Sequence, residues 1–559
     1  VLDKLPDKGV VVIARVAKLV GKTAANVYRT TRLCGELPAE QNAGCWKGTR
    51  FQPIPITRTA TKEEALKVLE NSELFPGISA QSVPVRSYPS MAGENGVHVL
   101  GYVSSVNESD LADTSKNYYR EETIGKDGLE LQYDQYLRGK AGIKTVIVDR
   151  KESVTKQAVS TQPISGFNLV TNLDARLQAA TEKALQSSVL RAKSLGGRAD
   201  GGAAIVMEVN SGKILALASY PTYDPNIWQV GLTQKQATNL FSESSGVPAL
   251  NRPLQGMYAP ASTFKSISAV AAINAGYNMN SSYKCPAKVL IGNREFANFE
   301  TKSQGTINMK RAIAVSCDTI WYQIAYDEWV RDGGLFPKSG LNDYFFTAAR
   351  GFGLGKITGI DLPSEASGRL PDRAWKEAVY KENKDFYCNF KTRAKKSDLT
   401  PFLIEVAREN CLDGNIVRAG DAVNFSIGQG DTLMTPIQMA QVYAAIANGG
   451  TMYKPQVARA IIKSNGQVVK EFQPEVIATQ TLSKKATKFL HEALRAVTTE
   501  GTAAGAFSGF PVAISGKTGT AEDKGRNKDG SAKADTAWFA SFAPADNPKY
   551  AVVMVVSQG

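Results

Sequence analysis

From residue 166 onward the chain alternates between two hydrophobic periods. Residues 168–173 read as a strand, and Asp174 stands where an N-cap is wanted before apolar residues spaced at helical intervals over 175–190. Two further strands are predicted over 203–209 and 213–218, with Asn210, Ser211 and Gly212 supplying the turn between them. An Ala/Val/Ile-rich run over 264–275 predicts a buried helix, a second helical pattern covers 309–326, and 511–515 and 550–556 are strand-like. A strand hairpin beside long apolar helices predicts an α+β fold, with helices packed on a mostly antiparallel sheet. The first 160 residues differ in texture. They are polar and irregular, with a short helix over 62–71, an amphipathic run opened by Gly128-Leu129-Glu130 that reaches Leu137, and a strand over 144–148. Residues 149–163 are basic and rich in Ser, Thr and Gln without an apolar period, so the domain boundary is placed there: an irregular N-terminal domain over 1–160 and a larger one over 161–559.

Composition adds three constraints. The 559 residues are 43% hydrophobic and 21% charged, which supports a filled core and excludes wholesale disorder. A net charge of +13 suits an anionic lipid surface, a polyanionic wall or nucleic acid, without choosing among them. No apolar run is long enough to cross a membrane, while the start at Val1 and the stop at Gly559 just after a strand-like run read as cuts from a longer chain, with an anchor ahead of it. The six cysteines show no C-x-x-C and the chain has only two histidines, so structural zinc is not expected. Cys34 with Cys45 and Cys388 with Cys411 each bracket a polar stretch. Both pairs are expected to be bridged, as in an exported protein, with Cys285 and Cys317 as buried thiols.

The common catalytic patterns fail. G-x-S-x-G and H-E-x-x-H are absent, Pro511 occupies the Gly position that would make Gly516-Lys517-Thr518 a phosphate loop, and His98 and His491 give a Ser-His-Asp triad little support. A serine nucleophile here needs a lysine base. Ser-x-x-Lys occurs at Ser153/Lys156, Ser262/Lys265 and Ser281/Lys284. Ser153 falls in the charged linker and Ser281 in an Asn/Ser loop, whereas Ser262 opens the apolar helix. There Ser262 and Lys265 share one face of the first turn, where the helix dipole and burial both disfavour an ammonium and so favour a base. Against this stands the plain reading of Ser262 as an N-cap beside a solvated lysine. Lys517-Thr518-Gly519-Thr520 holds the chain's only K-T-G, after a strand-like run, and Gly519 removes a Cβ where a ligand backbone must come close. Ser316-Cys317-Asp318 places two polar side chains in an otherwise apolar helical pattern, where they need partners if buried.

Ser262/Lys265, Ser316/Asp318 and Lys517/Gly519, in this order, resemble the active site of the penicillin-recognising serine transpeptidases. The resemblance extends to 202–219 with Pro221 and Asp224-Pro225-Asn226, to Gly428-Gln429-Gly430 with Thr435-Pro436, to 447–450 and to 537–544, and so spans nearly all of 166–559. It implies the penicillin-binding, serine β-lactamase-like fold: an antiparallel sheet flanked by helices. The segment around 98–103, with Gly128-Leu129-Glu130 and 133–142, looks like the pedestal of class B penicillin-binding proteins, and Asp318, where many relatives carry Asn, is similar to their elongation-type branch, the penicillin-binding proteins 2. The stretch 372–420 is longer than the resemblance leads one to expect.

The resemblance implies that Ser262 attacks the carbonyl between two terminal D-Ala residues of a peptidoglycan stem peptide, with Lys265 as base and the Ser262 and Thr520 N–H groups holding the oxyanion. Ser316 then relays a proton, Asp318 orients Lys265 and Ser316, and Lys517, Thr518 and Thr520 bind the terminal carboxylate beside Gly519. It implies β-lactams as inhibitors, no metal or organic cofactor, no nucleic acid, and an extracytoplasmic location on a membrane anchor. It also implies a pedestal that binds a SEDS-family glycosyltransferase through residues near 98–103 and 133–137, the alternative being a spacer that holds the active site away from the bilayer. Two rivals share the fold: a serine β-lactamase, poorly suited to so large a pedestal, and a non-enzymatic regulator whose pedestal activates a membrane glycosyltransferase while the serine site only senses β-lactams.

Overall fold

The Asp174 carboxylate accepts the N–H groups of Arg176 and Leu177 and so starts helix α1, Ala175–Ser194, as its position in the sequence predicts. The computed structural model describes every residue except 1–4, 6, 35–44, 47–52, 58–59, 83–84, 121, 149–153, 229–230, 397–398, 524, 526–529 and 531–532, so Ser153 lies outside the described residues. After α1 come the hairpin strands β1, Gly201–Glu208, and β2, Ile214–Tyr220. Helix α2 is Lys265–Asn274, α3 Met309–Ala314, α4 Thr319–Arg331, α5 Pro436–Asn448 and α6 Lys484–Thr499. Three strands close the chain: β3, Ser515–Ala521, β4, Thr536–Ala543, and β5, Tyr550–Ser557.

These strands form one sheet in the order β3-β4-β5-β1-β2, every neighbouring pair antiparallel. The expectation of an α+β fold with helices on an antiparallel sheet holds. Strand alternation divides the sheet's side chains between two layers. Ala204, Ala218 and Val556 meet Leu185 and Val189 of α1 on one face. On the other face Ala203, Ile205, Met207, Val553 and Phe542 join the main core, which contains Phe264, Trp321, Tyr443 and Leu490. Helix α5 is buried along its whole length from Pro436 to Ala447, and its two buried glutamines, Gln438 and Gln441, donate their amides to backbone carbonyls. Helix α6 buries only one stripe, including Leu490, Leu494 and Val497, and leaves Lys484 and Lys488 in solvent.

The chain forms two compact units. The first comprises Val1–Pro89, Val103–Ile124 and Pro225–Thr233; its core is made by Ile13, Val16, Ala17 and Val27 from two short helices, and it carries the Cys34–Cys45 bridge. The second comprises Ser90–Tyr102, Gly125–Asp224 and Gln234–Gly559. The stretch 149–163, read above as a linker, contains a strand, Val154–Thr161, paired antiparallel with Ile143–Val148. A two-stranded ribbon is held by backbone hydrogen bonds and needs no apolar period to form. Of the residues near 98–103 and 133–137, expected at a partner surface, 98, 99, 101, 133 and 134 are buried, Gln135 is exposed and the rest are half-buried. His98 and Val99 are buried, the His98 ring bonds the Pro248 carbonyl (2.7 Å), and the buried Tyr133 donates its hydroxyl to Asp361 (2.8 Å). Burial pushes the His98 imidazole down to about 4, which makes it a neutral core residue.

The long stretch after Asp372 folds as the helices Arg373–Cys388, Phe390–Arg393 and Pro401–Asp413, the first and last of them joined by the expected Cys388–Cys411 bridge. The first of them buries no residue. With so little apolar surface to order it, the segment gains its constraint from the covalent tie.

Candidate active site

Residues Ala261–Phe264 form a 3₁₀ turn that runs directly into α2, so Ser262 lies inside the turn and its side chain caps nothing. Several contacts hold the turn. Ala261, at φ +49°, donates its N–H to the Gly428 carbonyl (2.9 Å). Gly428 has φ +70°, and a Cβ there would lie 2.6 Å from both the Ala261 oxygen and the Phe264 Cβ, so the Gly428-Gln429-Gly430 segment needs glycine for conformation and for space. The Trp538 indole donates to the Ala259 carbonyl (3.0 Å), and the Tyr443 hydroxyl to that of Thr263 (3.0 Å).

The helical pattern over 309–326 breaks where the motif sits. Helix α3 stops at Ala314, α4 starts at Thr319, and Ser316 between them takes φ +58°. This left-handed conformation, unusual for serine, turns the segment toward α2 and β3. Lys265 Nζ donates to the Ser316 carbonyl (2.8 Å), to Ser316 Oγ (3.1 Å) and to Asp318 Oδ1 (2.6 Å). From the other side Lys517 Nζ donates to the same Ser316 Oγ (3.0 Å) and to Thr518 O (3.0 Å). Both lysine side chains are fully buried.

Burial lowers the affinity of Lys265 for its proton, and the Asp318 carboxylate offsets part of that loss. Lys517 is held well below the usual lysine range, first by burial and then by repulsion from Lys265, against a smaller pull from Asp318. One carboxylate therefore faces two buried amines across a single hydroxyl. The arrangement can hold a neutral amine ready to accept a proton.

The Lys-Thr-Gly motif does not follow a strand over 511–515, as the sequence suggests; it lies within β3, which begins at Ser515 and pairs Lys517 with Ala540, Thr518 with Phe539 and Gly519 with Trp538. The strand is recognisable only by tertiary context, because Lys517 occupies an inward position that an apolar residue would normally fill. A Cβ on Gly519 would lie 3.1 Å from the Pro260 oxygen and from Thr263 Cγ2. The space that glycine leaves is thus occupied by the protein's own serine turn. Thr520 is exposed beside it, with its carbonyl 3.5 Å from Gln429 Nε2, and Thr518 Oγ1 bonds Thr502 Oγ1 (2.7 Å).

Of the residues singled out in the sequence, Lys265, Ser316, Asp318, Lys517 and Thr518 form one hydrogen-bonded cluster, and the turn bearing Ser262 abuts it through Gly519. Ser281 and Lys284 stand exposed on a loop and a strand apart from it. Two features were missed. Cys285 and Cys317, expected as free thiols, are bridged. The strand Ser282–Cys285 pairs with Gly305–Asn308, which leads straight into α3, and this brings Cys285 within 6.4 Å (Cα–Cα) of Cys317. Buried Asn298 accepts the N–H groups of Asp318 (2.8 Å) and Thr319 (3.0 Å). No spacing in the sequence signals either feature.

A serine turn, a left-handed Ser-x-Asp segment and an inward strand lysine on the edge strand of an antiparallel sheet define a class of acyl-transfer site, and comparison with known proteins agrees. Residues 202–559 match the family model of the penicillin binding protein transpeptidase domain, and residues 3–171 that of the penicillin-binding protein dimerisation domain. The chain belongs to the penicillin-binding protein transpeptidases. It is 29% identical over 531 residues to the peptidoglycan D,D-transpeptidase MrdA of Salmonella typhimurium, covering 91% of this chain and 75% of that protein. Among solved structures it resembles a peptidoglycan synthase complex that coordinates polymerization and crosslinking (30% identity, TM-score 0.65, 89% of this chain and 76% of the other). It also resembles the complex between penicillin-binding protein PBP2 and MreC from Helicobacter pylori (25% identity, TM-score 0.63, 85% and 75%).

Proposed function

We propose that this penicillin-binding transpeptidase cross-links peptidoglycan stem peptides through an acyl-enzyme on Ser262. The observation that carries the reading is Ser316 Oγ, bonded at 3.1 and 3.0 Å to two buried lysines of which one is paired with Asp318. Lys265 takes the Ser262 proton as Oγ attacks the carbonyl between the terminal D-Ala residues of a donor stem. Its new charge then lies against Asp318. The N–H groups of Ser262 and Thr520 hold the oxyanion, a term worth about 3 kcal/mol per donor in a comparable hydrolase. Ser316 passes a proton to the departing D-Ala, while Lys517, Thr518 and Thr520 hold the substrate's terminal carboxylate. An amine of a second stem attacks the acyl-enzyme and releases Ser262, and β-lactams arrest the cycle at that ester.

The likeness to a complex of polymerization and crosslinking supports a SEDS-family glycosyltransferase as the partner and an extracytoplasmic site of action on the cell membrane. The test of the core reading is peptide mapping after incubation with penicillin. A single adduct on the peptide bearing Ser262, lost in Ser262→Ala, is the expected result; an adduct on Ser281 or another serine overturns the assignment.

A further inference from the structure

We infer that Asn298 and the Cys285–Cys317 bridge act together as a clamp that positions Ser316 and Asp318 for proton transfer, an inference that rests on the roles proposed above. A non-glycine residue held at φ +58° is strained and persists only where its surroundings over-determine it. The restraint on Ser316 comes from outside its own helices. Cys317, the next residue, is bonded to Cys285 at the end of a strand. The Asn298 carboxamide binds on both sides. Its oxygen accepts the Asp318 and Thr319 N–H groups at the start of α4, and its nitrogen donates to Pro286 O (2.8 Å) and Lys302 O (2.9 Å). The Thr319 hydroxyl reaches the same Pro286 carbonyl (3.0 Å). Phe299 N–H donates to Asp318 Oδ2 (3.2 Å), the carboxylate oxygen that Lys265 does not use.

All of these anchors converge on three consecutive residues, 317–319. Cys285, Cys317, Asn298 and Thr319 are all buried, so water offers no substitute partners. Without the clamp, Ser316 is free to relax toward right-handed backbone, which takes Oγ away from one lysine nitrogen or both. Asp318 loses its fixed orientation toward Lys265 as well. The charged and titratable groups facing the Lys265–Asp318 pair are Lys517 on β3 and Tyr322 on α4, with Glu522 and Arg294 further out; the clamp variants alter none of them.

The test follows acylation of the full chain by a fluorescent penicillin across a pH series, in Asn298→Ala and in Cys285→Ala/Cys317→Ala, with Cys388→Ala/Cys411→Ala as the distant-bridge control. A misplacement of about 1 Å at a reacting group costs up to roughly 100-fold, so a 10- to 100-fold loss in the acylation rate constant is expected in both clamp variants. The burst amplitude per folded molecule should stay full. The acid limb of the rate profile should move to lower pH, because a loosened Asp318 favours the Lys265 ammonium less and the neutral base survives further into acid. The control should keep the wild-type rate and limb. Wild-type rate and limb in the clamp variants overturn the inference, and so does a loss confined to amplitude, which marks a purely structural role. Where Asn298→Ala fails to fold, the bridge variant decides alone. Ser262→Ala separates the two levels, since persistent acylation in that variant refutes the nucleophile assignment and leaves the clamp measurement interpretable by the same assay.

Discussion

Gly519 and Gly516 lie three residues apart on β3, and adding one methyl group to each should have opposite consequences. At Gly519 the new Cβ would meet the Pro260 oxygen at 3.1 Å, Thr263 Cγ2 at 3.1 Å and Trp538 Cβ at 3.2 Å. Ordinary van der Waals separation is about 3.5 Å, so strand and serine turn must part by a few tenths of an ångström. At Gly516 the Cβ would meet Phe539 Cζ and Ser541 Cβ at 2.8 Å and Ala540 O at 2.9 Å, a harder clash inside the sheet and away from the turn. Overpacking of this kind costs roughly 1 to 3 kcal/mol, and Gly516→Ala should fall at the upper end and Gly519→Ala at the lower. At about 2 to 4 °C per kcal/mol for domains of moderate size, Gly516→Ala should show the larger drop in Tm by calorimetry. Acylation should rank the other way. Gly519→Ala widens the gap between Ser262 and the Thr520 N–H, and the rate per folded molecule, read with a fluorescent penicillin, should fall roughly tenfold or more while Gly516→Ala stays near wild type. Equal rates in the two variants would refute the argument that contact between strand and turn sets the geometry of the site.

Lys265→Ala should nearly abolish acylation, which intact mass after penicillin treatment will read directly; retention of the wild-type rate means that another group accepts the proton. Asp318→Asn removes the charge that offsets the burial of Lys265, so the base stays neutral at lower pH and the acid limb of acylation should shift downward, whereas an upward shift contradicts the pairing. The amide of that variant also loses one acceptor, either toward Lys265 or toward Phe299 N–H, at a net cost of about 1 kcal/mol. Opening the Cys388–Cys411 bridge, which spans 23 residues, should destabilise its two helices by about 3 kcal/mol and raise local hydrogen exchange there, with acylation unchanged.

What could be read from the chain alone follows from which forces act locally. The helix after Asp174 and the hairpin over 203–218 carry their signals in side-chain period, capping and turn residues, and both fold as those signals predict. The strand Val154–Thr161 is illegible in its own sequence because it is held by backbone bonds to Ile143–Val148 and carries no apolar period. Ser316 was misread for the opposite reason. The apolar period continues through 309–326 since both flanking helices face one core, and the left-handed residue that separates them is imposed by distant partners. The Lys-Thr-Gly strand hides because a buried lysine imitates a solvent-facing one in any pattern of polar and apolar residues. The cysteine pairing near the motif failed on distance, since strands that bring Cys285 to Cys317 are paired through Gly305–Asn308, a contact with no counterpart in linear spacing.

The backbone at Ser316 restricts the evolutionary drift of the site in a way that its chemistry does not. Threonine keeps the hydroxyl and is the obvious neutral replacement. A β-branched residue at φ +58° is a true outlier, however, whereas glycine or asparagine accepts that conformation at little cost. The replacements that preserve the proton relay are therefore barred by the fold, and those the fold tolerates lose the hydroxyl. If Ser262 is the proposed nucleophile, a lineage under selection by drugs aimed at it must seek its escape at positions around Ser316, leaving that serine itself in place.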